Sequence, residues 1–212
     1  MDDSPQSKGE RTRQVILSAA REIILSQGYT AASMRKISEA AGITPAAIYN
    51  HFSSKEDLFS ALLEEAVPLQ ELAAFLNEVT AATPEALLSQ VFRGILALLR
   101  QHEDYIRLAL IDAQERDGAT LTTFVPRLFP LMMQLMQKLH EVDGDNGRLR
   151  SIPPFILVRS LISLVAGYLL TERIGRPEQT LGLPPLDWEG GLLDIFMHGI
   201  FVHESGVESR ES

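Results

Sequence analysis

Apolar residues recur at intervals of three and four along almost the whole chain, and alternating β-branched runs closed by hairpin turns are missing. A spacing of 3.6 residues per turn gathers such side chains on one face of a helix, whereas a half-buried strand needs an interval of two. An all-α fold follows. From Thr12 to Gln27 the set Ile16, Ala19, Ala20, Ile23 and Ile24 makes one stripe, and Gly28 supplies the left-handed stop that closes such a helix. Ser33 N-caps a second, short helix to Ala41 with Met34, Ile37 and Ala41 inward, although Lys36 stands where a capping box wants glutamate. Gly42 ends it. Thr44 then Pro45 is an N-cap followed by proline at the first helical position, so a third helix starts after Gly42 and Ile43 and ends near His51 or Phe52. Ser53 or Ser54, with Glu56 or Asp57 three residues on, opens a fourth through Leu58, Phe59, Leu62 and Leu63.

Beyond Val67 the breaks are made by proline and polar clusters: Pro68, Thr83-Pro84, Arg116-Asp117-Gly118, Asp143 to Gly147, Pro153-Pro154, Gly175 to Pro177 and Pro184-Pro185. They leave helical segments at about 68–80, 84–101, 103–115, 120–141, 154–173 and 187–203. The expected organisation is a small domain over 9–56, a larger helical domain over 57–204, and flexible ends at 1–8 and 205–212. The most apolar stretch, Pro154 to Leu170, is about one turn short of a bilayer span and contains Arg159, so it is read as a buried or dimer-forming helix and no membrane partner is expected.

The net charge of −9 is unevenly spread. Between Lys8 and Lys55 seven Lys/Arg face three acids, whereas residues 56–212 hold 12 bases and 23 acids. A basic first quarter on an acidic remainder suits a chain whose front approaches phosphates and whose body does not. With no cysteine there is no disulfide framework and no thiolate metal site, and Asp2 and Asp3 open no signal peptide; a cytoplasmic location is expected.

Two short helices separated by a glycine-containing turn, with another packed behind them, make a helix-turn-helix, whose second helix enters the major groove. That helix must be slim and polar on one face. Thr44, Pro45, Ala46, Ala47, Tyr49 and Asn50 are small or polar, while Ile43, Ile48 and Phe52 can point to the core. The helix starts at Ser33 and at Ser53 or Ser54 also present N–H groups to phosphates.

The runs Gly28-Tyr29-Thr30, Met34-Arg35-Lys36-Ile37-Ser38-Glu39-Ala40-Ala41-Gly42-Ile43-Thr44-Pro45-Ala46-Ala47-Ile48-Tyr49-Asn50-His51-Phe52 and Ser54-Lys55-Glu56-Asp57-Leu58 resemble the TetR signature almost position for position, over about residues 11–65. The resemblance implies an all-α homodimeric transcriptional repressor. Its N-terminal three-helix, homeodomain-like domain would bind an operator in double-stranded DNA, and its C-terminal domain would bind a small-molecule effector and dimerise through the last two long helices. Carried over by position, Thr44, Tyr49 and His51 match DNA-contacting residues, the last two usually on phosphate; Lys55 matches a phosphate-contacting lysine and Arg35 a position that touches phosphate or a base edge. Where many relatives have threonine, this chain has Ala47, so direct hydrogen-bond readout falls to Thr44, Asn50 and Arg35. Ser33, Pro45 and Ala46 complete the expected DNA face.

Within the larger domain, Phe92, Leu96, Tyr105, Leu110, Phe129, Met132, Met133 and Met136 are placed where they could line a pocket, with Leu88 and Phe124 beside them. Three methionines in five residues suit lipophilic ligands, and acids such as Asp112 or Glu115 nearby would favour a cationic one. Leu161, Leu164 and Tyr168, with Leu192, Ile195 and Phe196, are the expected dimer interface. An enzyme has little support. His102-Glu103 lacks a second histidine at zincin spacing, no nucleophile elbow or phosphate-binding glycine loop occurs, and the calcium-like run Asp143 to Gly147 has glycine at the third ligand position. No catalytic residue, metal or cofactor is expected. The competing reading is a helical ligand-binding or interaction module without specific DNA binding, which explains the acidic body but not the capped, polar-faced helix at Thr44.

Overall fold

The computed structural model describes residues 7–144, 149–150, 152–172, 181–182 and 184–200. Ser7 accepts a hydrogen bond from the Glu10 N–H and starts α1, Lys8–Gln27, so Ser7 and Lys8 belong to an ordered helix start rather than to the flexible end expected at 1–8. The rest of that expected end, 1–6, and the end expected at 205–212 lie outside the described residues. Further helices are α2 Met34–Ala40, α3 Pro45–Ile48, α4 Lys55–Ala66, α5 Leu69–Glu78, α6 Pro84–Gln101, α7 Glu103–Glu115, α8 Leu121–Asp143, α9 Pro154–Glu172 and α10 Trp188–Ile200. Helices are the only extended elements among the described residues, as the three-and-four periodicity requires. The segments expected from proline and polar punctuation match α5 to α10, and residues 201–203 of the last segment and 145–147 of the acidic turn lie outside the described residues.

The chain forms two compact units, and their boundary differs from the one expected at residues 56 and 57. One unit comprises the chain up to Pro68 together with Gln101–Pro126; the other comprises Leu69–Arg100 together with the chain from Arg127 onward. The reason is apolar burial. Leu58, Phe59, Leu62 and Leu63 of α4 and Leu108 of α7 are buried with Ile16, Leu17 and Ile24 of α1, and α7 packs on both α1 and α4. Each such side chain is worth roughly 1.5–3 kcal/mol when removed from water, so these helices have no stable surface to present elsewhere.

In the second unit Leu87, Leu88, Val91, Phe92 and Leu96 of α6 lie in a core with Leu135, Met136 and Leu139 of α8 and Leu157, Val158, Leu161, Val165 and Leu169 of α9. Arg100 at the end of α6 joins two later helices, donating to Glu172 at 2.8 Å and to Glu189 at 2.9 Å. Those hydrogen bonds, led by the Glu172 pair, raise its already high pKa. Lys138 on α8 donates to the Asn77 and Val79 carbonyls and thereby covers open acceptors at the end of α5. α9 spans 19 residues and is long and apolar enough to cross a bilayer, contrary to the expectation that it falls a turn short. Its five buried side chains give it a place in this unit, and Arg159 lies on its exposed side.

Candidate nucleic-acid interface

Two side-chain caps and one glycine turn shape the α2–α3 region. Ser33 accepts from the Lys36 N–H at 3.2 Å and starts α2; Lys36, standing where a capping box wants glutamate, donates instead to the Ala31 carbonyl. Gly42, at φ +68°, ends α2 with paired bonds from its own N–H to the Glu39 carbonyl and from the Ile43 N–H to the Ser38 carbonyl. This closes the open carbonyls of the last turn in the geometry that glycine adopts most readily. Thr44 then accepts from the Ala47 N–H at 3.2 Å, with Pro45 at the first position of α3.

α3 has four residues, and its continuation tightens, Asn50 N bonding to Ala47 O and His51 N to Ile48 O. A helix this short cannot persist alone, because isolated helices below about 12 residues are marginal in water. Its anchor is apolar: Ile48 and Phe52 are fully or almost fully buried, and the Arg13 guanidinium of α1 lies 5.3 Å from the Phe52 ring centroid. The opposite face is open. Thr44, Pro45, Ala46 and Asn50 are exposed, Tyr49 is 56% exposed and His51 is half-buried. An open groove of about 500 Å³ beside the turn is lined by Lys8, Arg11, Thr12, Val15, Ala41 and Ile43. Lys8 and Arg11 thus bring positive charge to this turn; in the sequence they counted only toward the basic first quarter.

Several expected contacts are already engaged within the chain. The Thr44 hydroxyl is the α3 cap. Arg35 pairs with Glu39 one turn on at 2.9 Å, in an exposed pair. Lys55 donates to the Tyr29 and Ala32 carbonyls, each at 3.1 Å, and its ammonium lies 4.0 Å from the Tyr29 ring centroid. The side chain expected on phosphate is thus a brace between the start of α4 and the α1–α2 loop. Ser54 and Asp57 complete the capping pattern: Ser54 accepts from the Asp57 N–H, and Asp57 accepts from the Ser53 N–H at 2.8 Å.

Tyr29 is the centre of this loop. Its hydroxyl donates to Glu56 at 3.0 Å and its ring meets Phe59 edge-on. Burial, helped by the Glu56 hydrogen bond, pushes the phenol up to about 12. α7 reaches the same loop from far along the sequence. Glu115 accepts from the Tyr29 N–H at 3.2 Å and the Thr30 N–H at 2.6 Å, and the Arg116 guanidinium lies 4.9 Å from the Tyr29 ring centroid and 4.7 Å from that of Phe59. Arg116 is held by fully buried Asp112 at 3.2 Å, whose carboxylate also accepts from the Thr120 and Leu121 N–H groups. Both acids once expected to draw a cationic ligand are therefore committed to the protein itself. No short-range pattern marks this role for Glu115 and Arg116, because the loop residues Tyr29 and Thr30 that they meet lie more than 80 residues away.

The expected pocket set is divided. Tyr105 and Leu110 belong to the first unit, half-buried on α7. In the second unit Phe92 and Leu96 are fully buried in the core, with Phe92 edge-on to Tyr168, and Met136 is buried with them. Phe129 and Met133 are exposed, Met132 is half-buried, and Phe129 stacks on exposed Phe155. Of the expected interface, Leu161 is buried inside its own unit, where α9 turns that face to the core; Leu164, Tyr168, Leu192 and Phe196 are half-buried and Ile195 is 72% exposed. Phe155, Ile156, Ile162 and Leu170 of α9 are exposed as well, and the sequence pattern did not select them.

Residues 16–62 match the family described as bacterial regulatory proteins, tetR family. The HTH-type transcriptional regulator UidR of Escherichia coli is 43% identical over 63 residues, 30% of this chain, and the match spans only about a third, 32%, of that relative's length. The HTH-type transcriptional repressor AcnR of Corynebacterium diphtheriae is 40% identical over 155 residues, covering 72% of this chain and 76% of AcnR. Among solved structures, NalD, the secondary repressor of the MexAB-OprM multidrug efflux pump in Pseudomonas aeruginosa, superposes with a TM-score of 0.62 at 26% identity, over 92% of this chain and 98% of NalD. The all-α architecture, the capped helix-turn-helix and a relative matched over most of both chains agree, and this chain belongs to the tetR family of bacterial regulatory proteins.

Proposed function

We propose that this protein represses transcription by binding a palindromic operator in double-stranded DNA as a homodimer, and leaves the operator when a small lipophilic effector binds. The observation that carries the reading is α3: a short helix capped by Thr44 and anchored by Ile48 and Phe52, with Pro45, Ala46, Tyr49 and Asn50 on its open face. Small side chains let the helix approach base edges, and Asn50 supplies the amide that pairs with adenine in the major groove. Tyr49, His51, Arg35 and the Ser33 helix start serve phosphates, and Lys8 and Arg11 add charge. Lys55 enters as the brace of this surface.

Dimerisation is assigned to the exposed apolar side chains of α9 and α10, chiefly Ile162, Leu170 and Ile195, which a soluble monomer would leave in water. The effector surface is assigned to Phe129, Met132 and Met133 of α8, where the methionines offer an adaptable wall. Release is a population shift, the effector favouring a dimer whose two α3 helices no longer match successive major grooves. The NalD and AcnR names, each a repressor, support repression.

Selection of duplexes from a random-sequence library by the full-length protein, followed by light scattering of the complex, tests this reading. The expected product is an inverted repeat with half-sites about one helical turn apart, or a multiple, bound by two chains. Enrichment of no sequence, or one chain on an asymmetric site, would contradict it.

A further inference from the structure

We infer that Glu115, the last residue of α7, is a positioning residue for DNA binding: its carboxylate sets the α1–α2 loop from which the DNA-reading helices start. This rests on the proposed DNA reading and adds to it a residue with no place on the DNA face.

A carboxylate at a helix C-terminus meets the negative end of the helix dipole, so the position gives it no local advantage. What holds it there is the loop. The Tyr29 and Thr30 N–H groups follow the end of α1 and find no partner within their own helix; Glu115 accepts both, one on each oxygen, at 3.2 and 2.6 Å. Hydrogen bonds from Thr30 hold its carboxyl below the usual glutamate range, so the acceptor stays charged. The loop is shaped to admit it. Gly28 has φ +85°, and a Cβ there would stand 3.0 Å from Glu115 Oε1, so this residue gives both the turn and the space for the carboxylate.

From that loop the constraint passes to α2 and α4. The Tyr29 carbonyl accepts from Lys55 at the start of α4, the Ala32 carbonyl accepts from the same ammonium, and Ser33, the next residue, caps α2. Arg116 beside Glu115 is fixed by Asp112 and by Thr120 at 2.6 Å, and lies against the Tyr29 and Phe59 rings. Glu115 is thus tied by successive short contacts to the starts of two helices flanking α3, and it touches no exposed residue of α3.

The test uses full-length protein, a fluorescent duplex that the wild type selects from a random-sequence library, and the variants Glu115→Gln and Glu115→Ala. Anisotropy across a salt series is expected to show operator affinity weakened about tenfold in both, as loss of charge-assisted hydrogen bonds would do, with an unchanged dependence on log salt because no phosphate contact is removed. Amide hydrogen exchange without DNA is expected to show faster exchange at Tyr29 and Thr30 in both variants while the amides of α4 stay protected. If the alanine variant does not fold, Glu115→Gln carries the test. Variants that match the wild-type affinity overturn the assignment alone, as does a loss that vanishes once affinity is expressed per folded molecule. A wild type that enriches no sequence overturns the DNA reading, and the assignment with it, and exchange at Tyr29 and Thr30 unchanged in the variants overturns the clamp independently of DNA.

Discussion

Tyr29 is buried with its hydroxyl on Glu56, and burial first, the hydrogen bond second, raises its pKa from 10.0 to about 12. In the unfolded chain the phenol ionises near the lower value, so the unfolded state releases its proton first as pH rises. The stability linked to this group is therefore full below pH 10.0 and is lost as pH rises through about 12. Tyr29→Phe is expected to be less stable at neutral pH by about 0.5–1.5 kcal/mol through loss of the Glu56 hydrogen bond, yet to lose less stability than the wild type across that alkaline window, in urea unfolding followed by circular dichroism. Parallel alkaline limbs for the two proteins would contradict the account. Other residue roles show where sequence reading stops. The exposed position of Tyr49 on α3 was legible, because its neighbours Ile48 and Phe52 are the apolar ones and point the other way. The task of Lys55 was not, because its acceptors, the Tyr29 and Ala32 carbonyls, leave no trace in side-chain pattern.

Helix starts were legible one by one, since a cap and the N–H it satisfies lie three residues apart: Ser33 with Lys36, Thr44 with Ala47, Ser54 with Asp57. α3 leans on its cap more than a longer helix would, having four residues and one buried side chain of its own, Ile48. Thr44→Ala is expected to cost about 1 kcal/mol in urea unfolding, while Thr44→Ser, which keeps the hydroxyl, retains most of the stability. Equal midpoints for wild type and Thr44→Ala would mean that packing of Ile48 and Phe52 alone fixes the element. The partner of α7 was not legible. Its apolar stripe shows that one face is buried, and periodicity carries no information about whether that face meets α1 and α4 or the helices next to it in sequence. The same limit explains why Leu161 was assigned to an interface: α9 is apolar around most of its circumference, and only the fold shows which part faces its own unit.

For the whole molecule, two compact units divide the chain at Pro68, Arg100 and Pro126 rather than at a single boundary. α4 and α7 belong to the unit that carries the helix-turn-helix. The charge is divided as well, seven bases against three acids from Lys8 to Lys55 within a molecule of net charge −9. An acidic protein binds DNA when its cations gather on the approaching face, and the counterions released there make affinity fall with salt. The account stands most directly on one measurement: affinity of the full-length protein for its selected duplex across a salt series, beside Tyr49→Ala. Steep weakening with salt for the wild type, and weaker binding with an unchanged slope for Tyr49→Ala, whose side chain carries no positive charge to release counterions, is the result expected. Salt-independent binding, or a Tyr49→Ala variant that binds as the wild type does, would show that α3 is not the surface that meets DNA.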